Sequence, residues 1–490
     1  MAYSTTYRDM FRAFKNLAIE EDGYSEDPEG SGVKYATLDL RTKHRSVKKA
    51  PPKATTGKMW TDEDFPPSRA EAGCATVTLM WRRPHEFIKN PQLFVHGTER
   101  YDVNQNGFGT CWFLAMLSTL ADKPRLLKKL INTESYAPRT DGICHCKLWK
   151  FGEWVDIYID DYLPLFRGQT GLGLYSAQSG TASNELWVSF LEKALAKMYG
   201  SYCVVDEGGW PSEAYLALTG GVAETVLLAS YTFRPHGLFQ RLHKALQTGA
   251  MVSCAMKRYT GDLGLIGLHA YTLNKTAKVQ RNDGEVVSLI RMRNPHGTNE
   301  WKGKWSDQSL EWKTLDKGGD LRQMKDDGEF WMSLSDFMAN FTQTTICSLT
   351  PDFDKDGGPD SLNYVRSIFG EWGTRVKINI PKNCKKPVFS DKYRYRTREG
   401  TVPVVVQVIQ DELRRRNYSK ISCDVFTWGG RARVPDILGN RGRLFKLQCV
   451  YRYTLSHGTY ILLPSRDERG TSREFLVRLF SPCPIYASKY

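Results

Sequence analysis

A single cysteine, Cys111, stands between a glycine-rich turn, Gly107 to Gly109, and an unbroken apolar run. Trp112, Phe113, Leu114, Met116, Leu117 and Leu120 leave almost no polar face, which predicts a helix buried centrally rather than laid on a surface. Cys111 then falls in the first turn, where unpaired backbone N–H groups and the positive end of the helix dipole favour the thiolate. The thiolate is the attacking form of cysteine, so the position suits a nucleophile as well as it suits a buried structural thiol. Two further residues tip the balance. His269 opens a strand-like run 158 residues later (269 minus 111), and Asn294 closes the next strand of a predicted hairpin whose turn is Asn274 to Gly284. Adjacent antiparallel strands bring the start of one beside the end of the other. An asparagine beside the imidazole fixes its tautomer and leaves the second ring nitrogen to face the thiol. Gln105 precedes Cys111 by one turn of loop, where its side-chain amide can join the Cys111 backbone N–H in holding an oxyanion. The four positions together point to amide hydrolysis through a cysteine nucleophile.

The elements that must position these residues can be read in chain order. The tail 1–59 is polar, and Glu20 to Lys58 offers too little apolar surface to offset the entropy of ordering, so it is predicted mostly disordered, with a short amphipathic helix marked by Phe11 and Phe14. Thr76 to Trp81 alternates as a strand does. Ile143 to Lys150 and Trp154 to Asp160 predict a hairpin turning at Phe151-Gly152. The Cys144-His145-Cys146 triplet within it sends its thiols to one face and its imidazole to the other, which argues against a shared metal ion. Ser183 is the predicted cap of a helix running to Met198, and Gly208-Gly209 reads as a hinge. Residues 60–207 would then form a first lobe with the nucleophile, and 208–350 a second with His269 and Asn294. The second lobe carries a helix over 237–248 and strands at Met251–Ala255, His269–Leu273, Val286–Arg293 and from Glu329. Residues 351–370 read as a linker, and 371–490 is strand and turn throughout, a β-sandwich of about 120 residues.

Composition limits the partners. Hydrophobic residues at 41% and charged ones at 25% suit a soluble globular protein, and 490 residues allow about three domains. The net charge of +14 favours anionic surfaces. No basic run is interleaved with aromatics, so nucleic acid is not expected. Acidic phospholipid is, with Lys382, Lys385, Lys386, Arg414, Arg415 and Arg416 as the candidate face. There is no secretory signal, no apolar run near 18 residues and no lipidation motif. The eleven scattered cysteines therefore read as reduced thiols of a cytoplasmic protein.

The order Cys, His, Asn at this separation is that of papain-type proteases, and the chain resembles the calpains in particular. Gln105–Ala115 is similar to that family's nucleophile motif, Gly267–Tyr271 to its histidine motif, and Leu289–Asp307 (LIRMRNPHGTNEWKGKWSD) to its asparagine motif. Phe151–Asp156, Leu191–Ala194, Thr219–Glu224 and Asp327–Ser333 add further matches, and the likeness covers residues 60 to 350, continuing more weakly to Gly458–Pro464. The resemblance implies an α+β protein with a two-lobed papain-like core and a C2-like antiparallel β-sandwich. It implies a calcium-dependent cysteine endopeptidase making limited cuts in proteins, with Cys111 as nucleophile, His269 as base, Asn294 as orienting group and Gln105 as oxyanion donor. Two calcium sites follow from it. One comprises the carbonyls of Val95 and Gly97 with the carboxylates of Asp102 and Glu185. The other comprises Glu300, Asp307, Asp327 and Glu329 with the carbonyl of Lys325. Such a mixture of hard oxygens suits calcium. Arg100 and Glu329 match a pair that would couple the two sites.

Three positions depart from the family pattern. His296 stands where the family has tryptophan, Thr110 where it has aspartate, and Leu268 where it has glycine. No Asp-x-Asp-x-Asp-Gly loop occurs, so the chain resembles either an atypical member without the family's EF-hand domain or a fragment of a longer chain, and pairing with the family's small subunit is not expected. The alternative function is a calpain-like membrane-binding scaffold with little or no proteolysis. The intact Gln105, Cys111, His269 and Asn294 favour the enzyme, and His296 the scaffold.

Overall fold

The computed structural model describes residues 59–71, 78–95, 97–168, 171–256, 263–315, 321–353, 358, 364–382, 400–412, 417–429, 432–435, 444–468 and 471–490. The apolar run after Cys111 forms α1 (Cys111–Ala121), whose apolar side chains are buried, as is Ser118, whose hydroxyl donates to the Arg100 carbonyl at 3.2 Å. A helix without a polar face can lie only inside. Around it pack the hairpin β1 (Ile143–Lys150) and β2 (Glu153–Asp160), then α2 (Trp187–Tyr199), α3 (Tyr202–Asp206) and α4 (Pro211–Thr219). The hairpin turns at Phe151 and Gly152, with φ of 47° and 106°, the positive values that a two-residue turn between paired Lys150 and Glu153 demands.

Two expectations shift in this first core. The helix predicted from Ser183 starts at Trp187, because the preceding residues hold another loop. The Asn184 carbonyl accepts from the Gln92 N–H at 2.8 Å, and the Glu185 carboxylate from the Val95 N–H at 2.7 Å. The glycine pair read as a hinge is packed, with Gly209 so close to the Trp112 ring that no Cβ would fit. α4 beyond it still belongs to the first core.

Next comes one antiparallel sheet of β3 (Val222–Leu227), β4 (Met251–Ala255), β5 (Ala270–Gln280), β6 (Val286–Arg293), β7 (Glu329–Ser333) and β8 (Gln343–Ser348), in the order β7-β6-β5-β4-β8-β3. Strand alternation divides its residues between two cores. Met251, Ala270 and Cys347 join the first, while Val252, Cys254, Tyr271, Ile290 and Met292 join a second beneath α5 (Pro235–Gln247) and α6 (Leu334–Asn340). β5 runs far past the predicted Leu273. A bulge between Leu273 and Lys275 keeps it paired to β6, and the turn shrinks to Arg281–Glu285.

The remainder forms two antiparallel sheets around a third core. One contains β9 (Tyr364–Glu371), β11 (Thr401–Gln410), β13 (Gln448–Ser456) and β15 (Glu474–Ser481), in the order β9-β15-β11-β13. The other has β12 (Lys420–Thr427), β14 (Gly458–Arg466), β10 (Val376–Ile380) and β16 (Tyr486–Lys489) side by side, with two short strands on β12. Val404, Tyr451 and Leu479 of one sheet meet Ile378, Cys423 and Leu462 of the other. β9 lies within the stretch read as linker, since Ile368 is apolar enough to enter this core. Its sheet docks on the first two cores. Arg478 donates to the Gly220 carbonyl at 2.6 Å and Gln448 to the Ser212 carbonyl at 2.6 Å, while Arg452 and Arg241 share the Glu224 carboxylate.

Seven described cysteines, among them Cys111, Cys144 and Cys146, are free thiols, whereas Cys203 and Cys483 are disulfide-bonded, so the reading of eleven reduced thiols fails at these two. No helix among the described residues is long and apolar enough to cross a membrane.

Candidate active site

Cys111 opens α1 against the first residue of β5, and the Ala270 backbone N–H is among the donors that reach its sulfur. His269, the residue before β5, is buried, and its Nε2 lies 2.9 Å from Asn294 Oδ1. Asn294 follows β6 directly. Its Nδ2 donates to the Thr298 carbonyl at 2.7 Å and the Asn299 carbonyl at 3.3 Å, while Oδ1 also accepts the His296 N–H at 3.1 Å. With both amide hydrogens committed to carbonyls, only the oxygen faces the imidazole. His269 Nε2 must therefore carry the proton, and Nδ1 is left with a lone pair to take one.

Burial sets the electrostatics. It pushes the Cys111 thiol up, with the backbone N–H groups of Ala270, Trp112 and Cys111 opposing it. The thiolate expected from the helix end is thus outweighed by desolvation. Burial likewise lowers His269 to about 4, helped by its neighbour His296 and opposed by Asn294. Both shifts favour the neutral forms, a thiol and an unprotonated imidazole. His296 stacks on His269 with ring centres 4.8 Å apart and planes within 14°. Burial lowers its pKa too, against a hydrogen bond to the Gln105 backbone. Tyr271 meets His269 edge-on at 5.1 Å. Gln105 is anchored by its own N–H to the Pro295 carbonyl at 3.0 Å. Its Nε2 donates to the Phe108 carbonyl at 2.8 Å, so one amide hydrogen serves the loop and the second is left for an oxyanion.

The acidic residues fall in two places. Asp102 accepts from Glu99 N–H at 2.7 Å and from Thr181, and Glu185 accepts from Val95 N–H, the residue whose carbonyl was expected to share the site with that of Gly97. Glu185 Oε2 is buried without a partner, and burial, with Asp102 adding to it, pushes the group up to about 7. In the other place, Glu300 accepts from the N–H groups of Asp327 and Gly328 at 3.1 and 2.9 Å, and Asp307 from the Lys325 N–H at 3.4 Å. Burial, then Asp307, pushes Glu300 up to about 7, and burial, with Asp327 adding to it, pushes Asp307 up to about 6. Glu329 stands apart from its expected partners. Its carboxylate is taken by Arg291, by Arg100 at 3.2 Å, by Tyr101 at 2.9 Å and by Asn274, so as a ligand it is already neutralised. Among the described residues no three His, Cys, Asp or Glu side chains converge closely enough to hold a metal.

Arg100 and Glu329 do meet across the two cores, and sequence reasoning missed a second strut beside them. Arg293, buried at the end of β6, donates to the Val103 carbonyl and to Asn104 Oδ1, each at 3.0 Å. Nothing in the alternation of its strand distinguishes it from a solvated arginine. Also missed were Glu192 and Asp206, which bond the two residues before Cys111. Of the basic residues picked for lipid, Lys382 follows β10 and is exposed, while Lys385, Lys386 and Arg414 to Arg416 lie outside the described residues.

A thiol, an oriented imidazole and a buried amide are thus gathered where α1 meets the strand ends of β5 and β6. Comparison with known proteins gives the lineage. The model of the calpain family cysteine proteases matches residues 60–348. The human calpain-1 catalytic subunit is 33% identical over 476 residues, covering 87% of this chain and 65% of the relative. The mouse calpain-1 catalytic subunit is 34% identical over 479 residues and human calpain-9 is 32% identical over 470, with the same coverage. The chain belongs to the calpain family, and it spans 65% of the length of these relatives.

Proposed function

We propose that this chain is a calcium-activated cysteine endopeptidase of the cytoplasm that makes limited cuts in protein substrates. Its core is read as two papain-like lobes, 60–207 and 208–350, followed by a C2-like sandwich. The observation that carries the reading is the 2.9 Å bond between His269 Nε2 and Asn294 Oδ1, at the strand end that also reaches Cys111. As the thiol attacks a peptide carbonyl, His269 Nδ1 takes its proton, and Asn294 holds the resulting imidazolium through Nε2. The Cys111 N–H and the second Gln105 amide hydrogen stabilise the oxyanion. The imidazolium then returns the proton to the departing amine, and water hydrolyses the thioester with His269 again as base.

The carboxylates support calcium. The partnerless, buried Oε2 of Glu185 beside Asp102 fits a hard cation, as do Glu300, whose charge Asp307 and Asp327 disfavour, and Asp307, whose charge Asp327 disfavours. The carbonyls of Val95, Gly97 and Lys325 would complete the sets, with Glu329 serving the Arg100 contact instead. Bound there, the ion supplies positive charge that lets these groups ionise together. The complete triad supports the enzyme over the scaffold. Casein cleavage with and without calcium, by wild type and Cys111→Ala, tests the reading. Calcium-stimulated cleavage lost in Cys111→Ala is expected, and cleavage surviving in that variant would overturn it.

A further inference from the structure

We infer that Glu192 and Asp206 form a clamp that positions the nucleophile, an inference that rests on Cys111 being the reacting thiol. The two residues before Cys111 are each tied by a carboxylate from a different helix. The Gly109 N–H donates to Asp206 Oδ1 at 2.5 Å, and the Thr110 hydroxyl donates to Glu192 Oε1 at 2.6 Å. The second oxygen of Glu192 accepts the Ala177 N–H at 2.8 Å. Glu192 is only 1% exposed and sits among the apolar side chains of α2. A carboxylate there is costly unless its oxygens are matched, and its bonds to Thr110 and Ala177 both go outside its own helix.

The receiving end is built for it. Thr110 occupies the position from which a hydroxyl would normally cap the N–H groups of α1, yet it caps none of them and turns to Glu192 instead. Gly109 admits no side chain, since a Cβ there would stand 2.9 Å from the Asp206 carbonyl oxygen. The approach to α1 is therefore held from behind by α2 and α3, and that fixes where the Cys111 sulfur and backbone N–H point. A displacement of about 1 Å at such a point is enough to cost about two orders of magnitude in rate. Glu192 touches no substrate and acts through Thr110. It is a positioning residue.

The test uses the full chain with Glu192→Leu, Thr110→Val, their double variant and the conservative Glu192→Gln. Each single apolar variant should lower kcat for a peptide substrate by about tenfold with KM unchanged, as expected for loss of one charge-assisted bond. The double variant should be no worse than either single one, because both remove the same contact. Glu192→Gln, which still accepts a hydrogen bond, should recover most of the loss. Alkylation of Cys111 by iodoacetamide, followed by mass spectrometry of its peptide, reads the thiol without requiring proteolysis. Slower alkylation in Thr110→Val and Glu192→Leu is expected. If the wild type cleaves nothing but alkylation still slows, the clamp stands and the protease reading falls. Unchanged alkylation, additive losses in the double variant, or Glu192→Gln as impaired as Glu192→Leu would overturn the clamp. Should Glu192→Leu fail to fold, Thr110→Val carries the test.

Discussion

With both N–H groups of its amide taken by the Thr298 and Asn299 carbonyls, Asn294 has only its oxygen to offer His269, and that single restriction decides which ring nitrogen keeps a free lone pair. Asn294→Ala should free the tautomer and lower kcat by about a hundredfold, the usual worth of a positioned base, as steady-state peptide hydrolysis would read. His269 is lowered to about 4, so the acid limb of kcat/KM should fall near pH 4 rather than near 6.5. The stability consequence has a definite sign. Above pH 6.5 the imidazole is neutral folded or unfolded and contributes no pH dependence. Between 6.5 and 4 only the unfolded chain takes up the proton, so this group makes stability fall with pH across that window and not below it. His296 is the second cause of the depression. His296→Trp should remove its repulsion and move the acid limb to higher pH, and an unmoved limb would leave burial as the whole cause.

At the scale of elements, the β1–β2 turn carries more than its hairpin. Gly152 has a φ of 106°, and a Cβ there would press on Phe369 and Leu476 of the sheet that docks on the first two cores. Gly152→Val should lower stability by about 2 kcal/mol, visible as a drop in Tm, with both the strained backbone and the displaced contact contributing. This hairpin was legible in the sequence because its alternation and its turn residues agree. So was α1, since an apolar run without a polar face has one solution. The start of α2 was not legible. Ser183 has the chemistry of a cap, and only the distant Gln92 and Val95 N–H groups explain why its neighbours are used otherwise. The same holds at the site. Cys111, His269 and Asn294 announced themselves by type and order, whereas Glu192, Asp206 and Arg293 are ordinary charged residues until folding places them beside residues far along the chain.

Across the whole molecule, the docking of the third core rests on buried charge. Glu224 of β3 is shared by Arg452 of β13 and Arg241 of α5, at 3.0 Å for the latter. Glu224→Leu removes the carboxylate both guanidinium groups use, and should destabilise the chain by about 3–5 kcal/mol, read by denaturant titration. Calcium also acts at this scale if the proposed function holds. Asp102→Ala and Asp327→Ala should each shift half-activation to higher calcium without altering alkylation of Cys111, and an unchanged calcium response in both would remove the ion from the mechanism.

The face that β11, β13 and β15 turn toward the other cores alternates greasy and polar contacts. Ile409 and Leu476 meet Trp149, yet between such patches Gln407, Gln448, Arg452 and Arg478 demand particular carbonyls and a particular carboxylate. A purely apolar face would tolerate sliding, since oil has no preferred register. This one behaves as a key does. A slip of one residue would keep much of the apolar contact but strand two guanidinium groups and two amides away from water, each unmatched group costing about 1–3 kcal/mol. Partly slipped arrangements are thereby emptied of population, and the join between sandwich and core is either made or open, with nothing in between.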